Sequence, residues 1–213
     1  MKALDHLARI ANLLNKLSIE YSLTGDLACI LYGVNRATTD IHILLGRVTG
    51  ESLYRLVTSL RALGYLVSFR EAISAMDERG HFTVLAEDGC KVDFKFPSTR
   101  VDEESLKRYR LIEVKGVKVR VSLLEENIAT KIVALASMKD LEDALKLMRA
   151  YRDKIDWGRI RDLVGVDPLK AVDNLLKEFE MEFFDEPSIT SRLKELRQIL
   201  GKLEQGRKTS FST

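Results

Sequence analysis

Between Tyr21 and Leu45 the chain changes its hydrophobic pattern twice, and this stretch limits the fold more than any other. Tyr21-Ser-Leu23 has the texture of a short strand. Thr24-Gly25 then turns the chain, with a glycine where the backbone can approach a neighbour closely. The run Gly25-Asp-Leu-Ala-Cys-Ile-Leu-Tyr-Gly33 predicts a helix started by that turn and stopped by Gly33. Residues 39–45 form an apolar β-type run. Successive strand side chains point to opposite faces, so Asp40 and His42 share one face while Ile41 and Ile43 turn toward a core. Strand, helix and strand in such quick succession call for a sheet with helices packed against it.

The rest of the chain extends this plan. Leu4, Leu7, Ile10, Leu13, Leu14 and Leu17 recur at helical spacing and predict an opening amphipathic helix. Residues 52–63 predict another, with Leu53, Leu56, Val57 and Leu60 inward and Gly64 ending it; residues 65–69 predict a strand. Residues 81–85 and 91–96 flank the turn Glu87-Asp-Gly-Cys90 and predict an antiparallel hairpin with Asp93 in its second arm. A further hairpin is predicted around Lys115-Gly116, with arms 110–114 and 117–121, and Pro97 marks the exit from the sheet that carries Asp93. Beyond Ser122 the spacing becomes helical over 124–137, 141–151, 157–164, 168–184 and 187–203, with Ser122 and Asp167 as caps. The predicted class is α+β, a mixed and mainly antiparallel sheet flanked by helices and followed by a C-terminal helical bundle. Its divisions are a core domain 1–121, a helical domain 122–205 and a flexible polar tail 206–213.

Composition narrows the partners. With 34 basic and 32 acidic residues the formal net charge is +2, so bulk charge announces neither a nucleic acid nor a membrane. Any polyanion site must be local. Cys29 and Cys90 lie in apolar surroundings without metal-ligand spacing and read as buried thiols in a reducing compartment. The N-terminal Met1-Lys-Ala-Leu-Asp-His lacks the apolar core of an export signal, and no later segment has the length needed to cross a bilayer. A cytoplasmic protein with no membrane partner is expected.

One group of residues has the makings of a phosphate site. Phosphoryl transfer needs a cradle for the phosphates and one or two divalent cations held by carboxylates. A strand ending in Thr24-Gly25 at a helix start offers backbone N–H groups to a triphosphate. Asp40 and Asp93, on strands that can lie side by side, form a natural metal-binding pair, against the simpler reading that they pair with Arg36 or Lys91. His42 reads equally as an ion ligand or as a partly exposed strand histidine. Asp26 reads first as a carboxylate stabilising the helix start. Arg36, just ahead of Asp40, is placed to meet phosphate or to order the carboxylates. Lys131 stands alone on an apolar helix face, where it either snorkels to water or contacts nucleotide. Asp140 and Asp143 either pair with lysines of their helix or join the site.

The stretch Tyr21-Ser-Leu-Thr-Gly-Asp-Leu-Ala-Cys-Ile-Leu-Tyr-Gly-Val-Asn-Arg-Ala-Thr-Thr-Asp-Ile-His-Ile-Leu resembles the first motif of minimal nucleotidyltransferases of the DNA polymerase β type. Gly25, Tyr32-Gly33, Arg36, Thr38 and Asp40 match that motif, and Val92-Asp93-Phe94 matches the family's third carboxylate strand. His42 stands where the second Asp of Asp-x-Asp is expected, and Asp26 stands where a small residue follows the glycine. The helical stretch 125–147, with Lys131 followed by Lys139-Asp-Leu-Glu-Asp143, looks like that of the abortive-infection nucleotidyltransferase toxins, in which a lysine and an aspartate from these helices help form the active site.

This resemblance implies a nucleotidyltransferase fold and transfer of a nucleoside monophosphate from an NTP to an acceptor hydroxyl, with release of pyrophosphate. Asp40 and Asp93 would be catalytic, and Thr24, Gly25, Asp26, Arg36, Thr39 and Lys131 would bind nucleotide. Asp40, His42 and Asp93 would hold Mg²⁺ or Mn²⁺, and the imidazole of His42 also suits another transition ion. The acceptor would be RNA, a protein or a small molecule, and the toxin likeness points to tRNA or a protein. The toxin likeness implies an antitoxin-like partner protein. The alternative is a catalytically inactive nucleotidyltransferase-fold module that binds nucleotide, RNA or a protein partner, and His42 and Asp26 favour it.

Overall fold

The computed structural model describes residues 2–133 and 137–210. They fall into two compact units, Met1–Leu123 and Leu124–Thr213.

The first unit runs α1 (Lys2–Lys16), β1 (Tyr21–Thr24), α2 (Gly25–Leu31), β2 (Asp40–Leu45), α3 (Gly50–Ala62), α4 (Phe69–Glu78), β3 (His81–Leu85), β4 (Lys91–Lys95), α5 (Arg100–Lys107), β5 (Tyr109–Val114) and β6 (Val117–Ser122). The strands make one six-stranded sheet in the order β3-β4-β2-β1-β6-β5. β1 with β2, β3 with β4 and β5 with β6 are antiparallel, while β1 with β6 and β2 with β4 are parallel. The mixed, mainly antiparallel α+β class expected from the sequence is the one observed. The leucine stripe of α1 (Leu7, Ile10, Leu14) and that of α3 (Leu53, Leu56, Leu60) are fully buried, as are Leu23, Ile41 and Ile43 from the sheet. Each such side chain removed from water stabilises the fold by about 1.5–3 kcal/mol.

Three features depart from the sequence reading. Residues 65–69 are not a strand: Leu66 makes an isolated bridge to Leu85, and α4 starts at Phe69. The Ser68 side chain accepts from the Glu71 N–H, and this cap begins a helix that the β-rich composition before it conceals. α5 follows Pro97 where no helix was expected. Its start is a capping box, Thr99 accepting from the Asp102 N–H and the Asp102 carboxylate accepting from the Thr99 N–H. Pro97 is also not the exit from the sheet, because β6 pairs in parallel with β1 at Leu23 and Val121 and so adds the second hairpin to the same sheet.

The second unit consists of α6 (Leu124–Val133), α7 (Met138–Ala150), α8 (Trp157–Val164), α9 (Pro168–Glu182) and α10 (Pro187–Ser210). Residues 134–136, part of the helix expected over 124–137, lie outside the described residues. Asp167 caps α9 as expected, accepting from the N–H groups of Leu169 and Lys170. α10 continues through Gly206 to Ser210, where the sequence suggests a flexible tail from 206. Arg207 accounts for part of this: it pairs with Asp167 at 2.6 Å and lies over the Trp157 ring, which ties the last turns of the helix down. Residues 211–213 lie outside the described residues.

Candidate functional site

The register of the first unit assembles a polar row from separate strands. Thr24 of β1 lies opposite His42 of β2, His42 lies opposite Asp93 of β4, and Asp93 lies opposite Thr83 of β3. Asp40 lies opposite Lys91. Because side chains alternate along a strand, Asp40, His42, Lys91 and Asp93 all stand on one face. Ile41, Ile43, Val92 and Phe94 occupy the opposite face and are fully buried. The sequence thus places a charged face directly over a dry core.

Gly25 closes one side of this row. Its φ is +70°, a backbone state that L residues resist, and a Cβ there would stand 3.0 Å from His42 Cδ2 and 3.3 Å from His42 Cβ. The imidazole of His42 therefore packs on the turn between β1 and α2. Beside the turn, Asp26 pairs with Arg36 at 2.8 Å, and the Arg36 side chain is buried. This pair neutralises the negative charge that Asp26 would otherwise bring to the turn, and it fixes the loop that leads into β2. Arg36 orders the approach to Asp40 rather than offering an open cation.

Asp40 is held by its own loop. Its N–H donates to Thr38 Oγ1 at 3.2 Å, and the Thr39 hydroxyl donates to Asp40 Oδ1 at 3.3 Å. The Cys90 thiol donates to the Thr39 carbonyl at 3.3 Å. Burial, with Asp88 and Asp40 nearby, pushes the Cys90 pKa up to about 11, so it remains a neutral thiol. Cys29 and Cys90 are both buried thiols.

Asp93 is the most closely held carboxylate of the row. Thr83 donates to its Oδ1 at 2.6 Å, Lys91 Nζ stands 2.8 Å from its Oδ2, and His42 Nδ1 stands 4.0 Å from the same oxygen. Burial would raise its pKa, but the hydrogen bonds from Lys91 and Thr83, helped by the charges of Lys91 and His42, hold it below the ordinary carboxylate value. Lys91 moves the opposite way: its hydrogen bond to Asp93 raises its pKa against partial burial, and the charges of Asp93 and Asp40 add to the rise. Both groups are ionised at neutral pH.

Lys91 and Thr83 belong to this site, and the sequence reading had given neither a role in it; Lys91 appeared only as a structural partner for a carboxylate. The signal was available in the period-two spacing of Lys91 and Asp93 and in the hairpin register across Glu87-Asp-Gly-Cys90. The three-donor set Asp40, His42 and Asp93 read from the sequence does not stand assembled around an ion position. Among the described residues no three His, Cys, Asp or Glu side chains form such a group. The Lys91 ammonium sits on the same Asp93 oxygen that lies 4.0 Å from His42 Nδ1.

Lys131, Asp140 and Asp143 lie in the second unit and meet one another there. Lys131 Nζ is 2.5 Å from Asp140 Oδ1 and 3.5 Å from Asp143 Oδ2, with all three residues buried. Ser137 donates to Asp140 Oδ2 at 2.6 Å. Both aspartates thus meet a lysine, but it is Lys131 of α6 and not a lysine of their own helix α7. A cavity of about 360 Å³ in the first unit lies away from the polar row, lined by Lys2, His6, Arg9, Tyr65 and Asp88 among others. There His6 Nδ1 is 2.7 Å from the Tyr65 hydroxyl and His6 Nε2 is 3.1 Å from Asp88. The polar row stands on the strand face, not in this cavity.

Residues 6–142 match the sequence model of the aminoglycoside-2''-adenylyltransferase family. The chain belongs to this family. The match spans β1 through β6 and ends in α7, so every residue of the polar row falls inside it. Among solved structures, a protein from H. pylori described as a nucleotidyltransferase is 17% identical, with 96% of this chain and 94% of that one covered and a TM-score of 0.51. At that identity the likeness speaks to the fold. The antibiotic-resistance factor ANT(2'')-Ia is 16% identical, with coverage of 84% and 96% and a TM-score of 0.48. No curated protein sequence matches. By family and by fold, this member of the aminoglycoside-2''-adenylyltransferase family is a nucleotidyltransferase whose acceptor is unidentified.

Proposed function

We propose that the chain binds a nucleoside triphosphate over the β2–β4 face beside Gly25 and transfers its nucleoside monophosphate to an acceptor hydroxyl. The row Asp40, His42, Lys91 and Asp93 against the Gly25 turn carries this reading, because it joins two carboxylates and a cation on one partly exposed strand face. The backbone at Thr24 and Gly25, with Thr39, borders the phosphates, and Lys91 meets their charge. The acceptor O–H gives its proton to the Asp93 carboxylate while its oxygen bonds to the α-phosphorus. The bond from that phosphorus to the β-phosphate bridging oxygen breaks, and pyrophosphate leaves. Asp93 is a weak base but is fully ionised at neutral pH. Asp40 orients the incoming groups, and Arg36 acts through Asp26 by fixing the loop.

Mg²⁺ or Mn²⁺, which the nucleotidyltransferase resemblance implies, does not fit this donor set. Asp93 already carries a cation in Lys91, and a histidine replaces a carboxylate beside it. No step is routed through an ion. The family's name supports ATP as donor and an aminoglycoside hydroxyl as the first acceptor to try. The Lys131 and Asp140 to Asp143 likeness to abortive-infection toxins supports tRNA or a protein as the second, with an antitoxin-like partner. Two buried cysteines in the thiol form support a cytoplasmic setting, and no described helix is long and apolar enough to cross a membrane.

A second reading, a binding module without turnover, is favoured by one observation: the Lys91 ammonium and His42 both stand around Asp93, where the family expects carboxylates and an ion. Incubation with α-labelled ATP and aminoglycosides, RNA or cell protein separates the two. Transfer of label that Asp93→Asn reduces by about 100-fold or more supports the enzyme. ATP binding with no transfer to any acceptor class supports the module.

A further inference from the structure

We infer that Lys91 is a built-in counter-ion that replaces the divalent cation, so that this site binds nucleotide without metal; the inference rests on the nucleotide site proposed above. Lys91 is two residues from Asp93 on β4 and directly opposite Asp40 on β2, which places its stem between the two carboxylates on the same face. Its Nζ lies 2.8 Å from Asp93 Oδ2, a normal charge-assisted hydrogen bond. The other oxygen of Asp93 is occupied by Thr83 at 2.6 Å. A magnesium ion demands oxygen ligands at about 2.0–2.1 Å in near-octahedral order. At Asp93 it would meet the repulsion of a tethered cation already there.

Charge leads to the same conclusion. Two carboxylates and one ammonium leave the row with a single net negative charge before any nucleotide enters, and His42 adds no carboxylate to it. A divalent ion is held by accumulated negative charge, and here that charge is half cancelled from within. The His42 ring lies against Gly25, where an added Cβ would stand 3.0 Å from His42 Cδ2. For an incoming triphosphate the balance is the reverse, because Lys91 is a fixed cation and about two-fifths of its side chain is exposed. A lysine can serve phosphate as a point charge. The consequence is a nucleotide site whose cation arrives with the chain.

Two measurements on the full chain test this independently. In the first, Mn²⁺ alone is titrated and followed by electron paramagnetic resonance, with no nucleotide present. The wild type is expected to leave Mn²⁺ free, whereas Lys91→Met, with Asp40 and Asp93 uncompensated, binds it, and Asp93→Asn in that background abolishes the binding. In the second, ATP is titrated calorimetrically in EDTA and in Mg²⁺. Wild-type affinity is expected to differ by less than about threefold between the two, Lys91→Met to lose about tenfold or more in EDTA, and Lys91→Arg to retain most of it. Wild-type Mn²⁺ binding that Asp93→Asn removes overturns the inference, as does ATP binding that requires Mg²⁺. If the wild type binds no ATP in either buffer, the nucleotide site itself fails, and the Mn²⁺ titration still decides whether Lys91 excludes the ion.

Discussion

Lys91 in the sheet unit and Lys131 in the helical unit make the same kind of contact, an ammonium on aspartate, under opposite conditions. Lys131 has 6% of its side chain exposed, and its partners Asp140 and Asp143 have 11% and 3%. Lys91 has 42% exposed. The first cluster is sealed, so its charges must satisfy one another and their value is structural. The second opens to water on one side, so its charges remain available to a ligand. Identical residue types thus serve different purposes according to how much water reaches them.

Removing the sealed cation gives the largest expected effect. Lys131→Met leaves two buried carboxylates without their ammonium and should cost about 3–5 kcal/mol, read as a lower thermal midpoint for the helical unit. An unchanged midpoint would mean that the cluster is open like the Lys91 row. Asp102 lies between the two extremes. It is buried, pairs with Lys95 at 2.8 Å, and accepts from the N–H groups of Ser98 and Thr99. Asp102→Ala should cost about 2 kcal/mol through loss of the cap and of these charged hydrogen bonds.

Asp102 also predicts a pH dependence. Burial opposes its ionisation, yet the hydrogen bonds from Lys95 and the Ser98 N–H hold its folded pKa below the ordinary carboxylate value. A depressed carboxylate contributes stability that is fully present above its unfolded pKa and is lost as pH falls through the folded value. The difference in urea midpoint between wild type and Asp102→Asn should therefore be constant near neutrality and shrink below about pH 4. A difference that grows on acidification would contradict the assignment.

Smaller effects belong to the open row. Gly25→Ala forces a side chain onto a left-handed backbone and against His42, for a cost of about 1–2 kcal/mol by chemical denaturation together with weaker ATP binding. Lys91→Met should change stability least, by less than about 1 kcal/mol, because the pair it breaks is open to solvent on the lysine side. A large loss of stability in that variant would erase the distinction between the two lysines.

The sequence made much of this legible where the signal is local. The alternation Asp40-Ile-His-Ile43 predicts one buried and one polar face, and the structure shows both. Gly25 and Gly33 punctuate α2 because a turn needs them, and both have positive φ. The start of α4 is masked by the β-like texture of residues 65–69 around the Ser68 cap, and that of α5 by Pro97 just ahead of the Thr99 to Asp102 box. The union of the two hairpins in one sheet left no local trace, since the pairing of Leu23 with Val121 joins strands far apart in the chain. The pair Asp26–Arg36 is hidden for a related reason, and Lys91 is legible only as one of two partners for Asp40 or Asp93. Each aspartate had several basic residues within sequence reach, and only the folded register selects among them.

The central claim is that nucleotide lies on the β2–β4 face beside Gly25. Titrating ATP into the ¹⁵N-labelled chain and following backbone amide shifts tests it most directly. The largest shifts should fall on Gly25, Asp26, Asp40, His42 and Asp93. Shifts concentrated instead on Lys2, His6, Arg9, Tyr65 and Asp88 around the separate cavity, or an absence of shifts at saturating ATP, would contradict it.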